Sequence, residues 1–165
     1  MIAMVSDPKG KVFGLLRTFL APGGAALAPI PDPRRALGRI GGHAVRFGDP
    51  AEAMLAGEGI ESVLSLKLAL PDMPMAASLS AGNLGRLILP AMLRRLYVAA
   101  DRDRAGRECA ANLVERARDL GVEAVMLMPR LNDFNDDLRQ MGIDEVRGRL
   151  RRQLVAEDAA RCLYG

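Results

Sequence analysis

The sequence predicts an α/β fold built on an open, mostly parallel sheet with flanking helices. Two observations carry this. From residue 51 onward, short apolar runs alternate with segments whose apolar residues recur at helical spacing. Glycines and prolines mark the changes of period. Residues 1–50 differ: they hold strand-like runs joined by glycine turns, so a small β-rich segment precedes the α/β part.

Taken in order, MIAMVSD, PKG and KVFGLLRTFL read as strand, turn and strand, with Gly10 in the turn. APGG at 21–24 is a second turn. The three prolines of PIPDPRR (29–35) imply an extended, irregular segment, and HAVRF a short strand. AMLAGE (53–58) reads as a buried strand, and IESVLSLKLAL (60–70) as a helix with Val63, Leu64, Leu66 and Leu68 apolar. MPMAASLS (73–80) is a second strand. LGRLILPAMLRR (84–95) is helical in part, with Pro90 breaking or kinking it. RLYVAAD (95–101) is a third strand. AGRECAANLVERARDLG (105–121) is a helix that buries Ala110, Leu113, Val114 and Ala117 and stops at Gly121. VEAVMLMP (122–129) is a fourth strand, DFNDDLRQMG opens another helix, and residues 144–163 form a last one. Strands spaced by helices imply parallel pairing. The expected organisation is a basic β-rich segment over 1–50, an α/β domain over 51–143 and a C-terminal helix over 144–165.

Half the residues are hydrophobic but only 4% are aromatic, so Leu, Ala, Val, Ile and Met must fill the core. The chain has no Trp to stack on bases, and any nucleic-acid contact is expected mainly at the backbone. The net charge of +3 is unevenly spread: residues 1–50 carry seven Lys/Arg against three Asp, the remainder sixteen against seventeen acids. A cationic lip beside an acidic region suits a polyanionic substrate, although a solvated basic surface accounts for the same charges. Cys109 and Cys162 form no CxxC pair and His43 is the sole histidine, which excludes a Cys/His zinc site. Both thiols are expected reduced, with Cys109 buried in its helix. The start reaches Asp7 and Pro8 before any long apolar run, and no stretch approaches the ~20 apolar residues of a membrane span. A cytoplasmic protein without a membrane partner is expected.

Five carboxylates stand at three places: Glu58 in GEGIES, Asp101 and Asp103 in VAADRDRAG, and Asp133 and Asp136 in LNDFNDDL. Each follows a strand-like run, and strand ends are where open α/β sheets build their sites. Residues two apart in an extended segment point the same way, so Asp101 and Asp103 can reach one cation. Carboxylates so gathered repel one another unless a hard cation joins them, which suggests metal-dependent phosphoryl transfer. Each cluster has a plainer reading as well. Glu58 is then a turn residue between two glycines, Asp103 caps its helix, and the Asp133 turn caps the next.

These residues resemble the Toprim domain of bacterial-type primases, topoisomerases and some nucleases: a Glu after the first strand, a DxD after the third, and a later acidic turn. GEGIESVLSL, VAADRDRAGRECA and LNDFNDDLRQMG are most similar to the motifs of primases, and GKVFGLLRTFL and PDPRRALGRI to the segment preceding Toprim in them. The resemblance implies a Rossmann-like Toprim fold and Mg²⁺ (or Mn²⁺) held by Glu58, Asp101 and Asp103 with Asp133 and Asp136 assisting. It implies nucleotide or template contacts by Arg17, Arg34 and Arg35, to which Arg39 and Arg46 are added as lining the same track. The expected activity is RNA primer synthesis on single-stranded DNA from nucleoside triphosphates, with a helicase or further primase domains as partners. A Toprim nuclease and a non-catalytic nucleic-acid-binding module, or primase fragment, are the alternatives. A topoisomerase lacks support: Tyr97 lies in a predicted buried strand and Tyr164 at the chain end.

Overall fold

The computed structural model describes residues 1–163. Its first three strands form an antiparallel sheet in the order β1 (Ile2–Ser6), β2 (Val12–Thr18) and β3 (Arg34–Gly38). β3 was not expected. The prolines do keep residues 29–33 irregular, but Arg34–Gly38 then pair with Gly14–Thr18 of β2. The strand is exposed along its whole length, so it lacks the buried alternation by which a strand announces itself. Gly14 and Gly38 meet in this ladder, where a Cβ on either would come within 2.5 Å of the opposing backbone oxygen.

The second sheet has five strands, ordered β4-β6-β5-β7-β8. They are β4 (Val45–Phe47), β5 (Ala53–Gly57), β6 (Met75–Ala77), β7 (Arg95–Ala99) and β8 (Glu123–Leu127). β6, β5, β7 and β8 are parallel, as expected, and β4 adds an antiparallel edge. Period-2 alternation sorts its side chains into two cores. Leu55, Met75, Tyr97 and Leu127 face one side, against α1 (Ile60–Ala69), α4 (Phe134–Met141), α5 (Ile143–Gln153) and α6 (Ala156–Cys162). Met54, Ala56, Leu96 and Val98 face the other, against α2 (Ala81–Leu84) and α3 (Arg104–Asp119). Val5 and Leu16 bring the inner face of the small sheet into the first core.

Several helices depart from expectation. α3 buries Ala110, Leu113, Val114 and Ala117 and ends at Gly121, as predicted. Its Cys109, however, is only partly buried, while Cys162 is buried, and both thiols are free. In α1 the buried side is Ile60, Ser62, Val63, Ser65, Leu66 and Ala69, while Leu64 and Leu68 face outward, Leu68 at 64% exposure. Val63 and Leu66 are buried as their apolarity implied, while Ser62 and Ser65 take up the rest of that side, Ser65 donating to Asn135 Oδ1 of α4 at 3.3 Å. Residues 85–94 are not helical. Gly85 ends α2, and the segment folds back through turns that close from Leu87 to Leu84 and from Leu93 to Pro90, burying Leu87 and Leu93. The expected last helix is two, divided at Leu154 and Val155.

That division has a reason. The Val155 amide donates to the hydroxyl of Tyr97, which donates to Asp158 Oδ2 at 2.7 Å. Arg95 and Arg161 each donate to the same buried carboxylate at 2.8 Å. An Asp this deeply buried is tolerable only when so fully paired. Burial alone would raise its pKa; the Tyr97 and Arg95 hydrogen bonds and the two arginine charges outweigh that and hold it low. Among the described residues no helix is long and apolar enough to cross a membrane.

Candidate metal centre

β6 lies on one side of β5, and the chain then crosses back to place β7 on the other side. The carboxyl ends of β5 and β7 therefore flank a topological switch point, where the crossing loops part and leave a crevice. Glu58 leaves β5 there, and Asp101 follows β7 by two residues. Asp133 comes from the loop after β8, the next strand across.

Gly57 and Glu58 are held by the neighbouring loop: their carbonyls accept from the Ser78 and Leu79 amides at 2.9 and 2.8 Å. A Cβ on Gly57 would lie 2.9 Å from Val63 Cγ2, so this glycine lets α1 turn tightly off the strand. Asp103 caps α3, accepting from the Gly106 amide at 2.7 Å, and Asp133 caps α4, accepting from the Asp136 amide at 2.7 Å. The capping readings are thus both realised, through Oδ1 in each case. Capping fixes these carboxylates in place and occupies one oxygen of each.

The electrostatics join the clusters. Asp101 is pushed up to about 6, by burial first and then by the charges of Glu58, Asp133 and Asp103. Glu58 is raised by burial and by Asp103, against a lowering hydrogen bond from the Ala81 amide. Glu58, Asp101, Asp103 and Asp133 therefore share one field. Asp136 Oδ2 accepts from Asn132 Nδ2 at 2.9 Å. The donor set is all carboxylate oxygen, which fits a hard divalent cation and disfavours a soft one. Among the described residues, no three Asp, Glu, His or Cys side chains converge into a ready cage. Mg²⁺ characteristically keeps waters and takes one or two carboxylates plus substrate phosphates, so an open set suits it.

The five arginines have different surroundings. Arg17 and Arg35 are register partners on the outer face of the small sheet. Arg17 lies over the Phe19 ring at 4.5 Å, and Arg35 stands 3.6 Å from Asp32. Arg39 lies 5.9 Å from the Phe13 ring centre. Arg46 braces the back of β4, donating to the Ser6 and Ile88 carbonyls at 3.4 and 3.1 Å. Arg34 alone among the five lines the cleft beside α1, where it pairs with Glu61.

The sequence marks Asp137 only as part of the acidic turn, and gives no role to Asn83, Glu61 or Thr18. Asp137 accepts from the Arg130 and Leu131 amides at 2.8 and 2.7 Å and shapes the loop before Asp133. Asn83 bonds Gly42, His43 and Ser78, tying residues 42–43 to the loop after β6. Glu61 and Thr18 line the cleft. Glu61, three positions after Glu58 and in the first turn of a predicted helix, was the one with a readable signal.

An acid-ringed switch point in a three-layer α/β unit, preceded by a small antiparallel sheet, defines a Rossmann-like domain with an anionic centre. The Toprim domain family matches residues 53–144, more than half of the chain, and the chain belongs to that family. A domain of unknown function (DUF7146) matches residues 1–47. No match is found among curated proteins. Among solved structures, the Aquifex aeolicus primase (zinc-binding and RNA polymerase domains) aligns with a TM-score of 0.64 at 18% identity, over 93% of this chain and 40% of that one. A DNA primase domain from Pseudomonas aeruginosa gives 0.61 at 18%, over 92% and 50%. The primase fragment of the bacteriophage T7 primase-helicase protein gives 0.66 at 12%, over 90% and 61%. The chain thus shares their fold and spans less than two thirds of each.

Proposed function

We propose that the chain is a primase-like catalytic core that joins nucleoside triphosphates into RNA primers on single-stranded DNA, depending on Mg²⁺ or Mn²⁺. The observation that supports this is that Glu58, Asp101 and Asp133 follow adjacent parallel strands of a Toprim fold, with Asp101 within electrostatic reach of Glu58, Asp103 and Asp133. Glu58, Asp101 and Asp103 would hold the cation, with Asp133 or Asp136 assisting. The ion, when bound, supplies a lowered hydroxyl pKa and neutralises charge on the transferred phosphoryl group.

The chain's own residues do the rest. The capped Asp103 and Asp133 keep their free oxygens aimed without reorganisation. As an alternative to holding the cation, Glu58, which burial and Asp103 raise above an ordinary glutamate, would exchange a proton with the attacking 3′-hydroxyl. Arg34 is the cation placed to meet phosphate; Arg17, Arg35 and Arg39 are assigned to more distant strand contacts, and Arg46 to bracing. A cytoplasmic location goes with this reading. The shared fold with a fragment of a primase-helicase protein makes a helicase, or further primase domains, the expected partner.

Incubation with single-stranded DNA, labelled nucleotides and Mg²⁺ or Mn²⁺ tests this, beside an Asp101→Asn/Asp103→Asn variant. Longer labelled strands, absent in the variant, are expected. Shortened template, absent in the variant, would replace synthesis by nuclease action, and no product from either would leave a binding module.

A further inference from the structure

We propose that the cleft between the small sheet and the first turn of α1 binds a phosphate oxyanion, and that Glu61 occupies its counter-charge when no ligand is there. The cleft consists of two adjoining cavities of about 250 and 520 Å³ that share Met1, Thr18, Ile60 and Glu61. One of them is lined by Gly59, next in sequence to Glu58, and the inference deepens the reading of that site as one for phosphoryl transfer.

Three features point to an oxyanion. First, α1 is ten residues long and begins at Gly59 without a side-chain cap, so its opening amides lack side-chain partners. Uncapped amides at a helix start, with the helix dipole behind them, attract anions. Second, Thr18 lines both cavities and is only 2% exposed, yet its hydroxyl has no hydrogen-bond partner. A buried hydroxyl left unpaired is costly and in need of an acceptor or donor. Third, Arg34 reaches the cleft from β3.

Gly59 adds to this. Its φ of −84° and ψ of 143° suit any residue, and an added Cβ would come no nearer than 3.9 Å to Glu61. Neither backbone nor packing asks for a glycine here; what it leaves is open approach to the amides. The Arg34–Glu61 pair is half exposed on both sides, and such pairs are weak. A phosphate can therefore take Arg34 from Glu61, while the Glu61 carboxylate repels it until that exchange occurs. The shared chemistry is a phosphate oxyanion, from either a nucleoside triphosphate tail or a nucleic-acid strand.

Binding is to be measured in EDTA, where no cation bridges phosphate to the acidic centre. The probes are inorganic triphosphate, followed by calorimetry, and a fluorescent single-stranded oligodeoxynucleotide with a 5′-hydroxyl, followed by anisotropy. Glu61→Gln should tighten at least one probe by about 3- to 10-fold, and Thr18→Val should weaken that probe by about 5- to 10-fold. A response to triphosphate alone assigns the cleft to the nucleotide tail; a response to the oligonucleotide alone assigns it to the strand. Unchanged or weaker binding of both probes by Glu61→Gln overturns the proposal, as does wild-type binding of both by Thr18→Val. Melting temperatures confirm folding, and should Thr18→Val fail to fold, Gly59→Ala takes its place with the same expected loss. Primer synthesis with Mg²⁺ is scored separately, so an inactive wild type would strike the proposed activity while the EDTA titrations still decide the cleft.

Discussion

The Arg102 amide donates to the Asn132 carbonyl at 2.8 Å, and the Ala100 amide to the Leu127 carbonyl at 3.1 Å. The loop carrying Asp101 and the loop leading to Asp133 are therefore one mechanical unit, shaped from beneath by Asp137. Asp137→Ala should cost about 3 kcal/mol, since two backbone amides lose a charged acceptor. It should also lower product yield in the primer assay although Asp137 is no ligand. Urea unfolding and the assay together check this; wild-type values in both would separate the loop from the site.

Asp101→Asn should abolish metal-dependent product yet stabilise the cation-free protein. In the wild type, burial and three neighbouring carboxylates raise Asp101 to about 6. A carboxyl raised on folding costs nothing while protonated in both states. Its ionisation destabilises the fold progressively as pH rises from about 4 to about 6. For a group still partly open to solvent the cost is put at roughly 1 kcal/mol, or about 2–4 °C in Tm. Melting in EDTA should show the variant ahead at pH 7 and level with wild type near pH 4, and Mg²⁺ should raise the wild-type Tm more than the variant's.

The Asp158 clasp has the opposite sign. Its folded pKa is lowered, so its contribution is complete above the ordinary aspartate range, near 4, and is lost as pH falls below it. Asp158→Asn should cost about 3–5 kcal/mol at pH 7, by leaving Arg95 and Arg161 without the carboxylate, and should flatten the acid limb of the stability curve. Denaturant titrations at pH 7 and pH 3 measure both effects.

Gly57→Ala should destabilise by about 1–3 kcal/mol, because the new methyl meets Val63 at 2.9 Å in a filled core. Gly59→Ala, two residues on, should melt within about 1 °C of wild type. Thermal scans of the two variants test whether the flanking glycines of Glu58 serve different ends; equal losses would refute the distinction.

The parallel sheet, α1, α3 and the acidic positions were legible because each rests on a local pattern: apolar alternation, helical spacing, or an acid placed just after a strand. What escaped depends on pairing across the chain. Arg34–Gly38 became a strand because β2 offered an edge, not through any alternation of its own. Residues 84–95 read as helical in part, broken or kinked at Pro90, but Gly85 already ends the helix and the segment turns back. Arg46 read as lining a nucleotide or template track, and only the folded chain brings the Ser6 and Ile88 carbonyls to it. The acidic residues carried two readings each, and for Asp103 and Asp133 the capping geometry and the shared field proved compatible.

β4 completes the edge of the large sheet, although it lies within the stretch that precedes the Toprim match. Cutting the chain at residue 51 would strip that edge and leave β6 with bare amides and carbonyls, an invitation to strand-swapped aggregates. Whoever moves this domain into another protein must therefore carry the strand along, and a lineage that shuffled the two matched regions apart would have had to invent a new selvedge for the sheet.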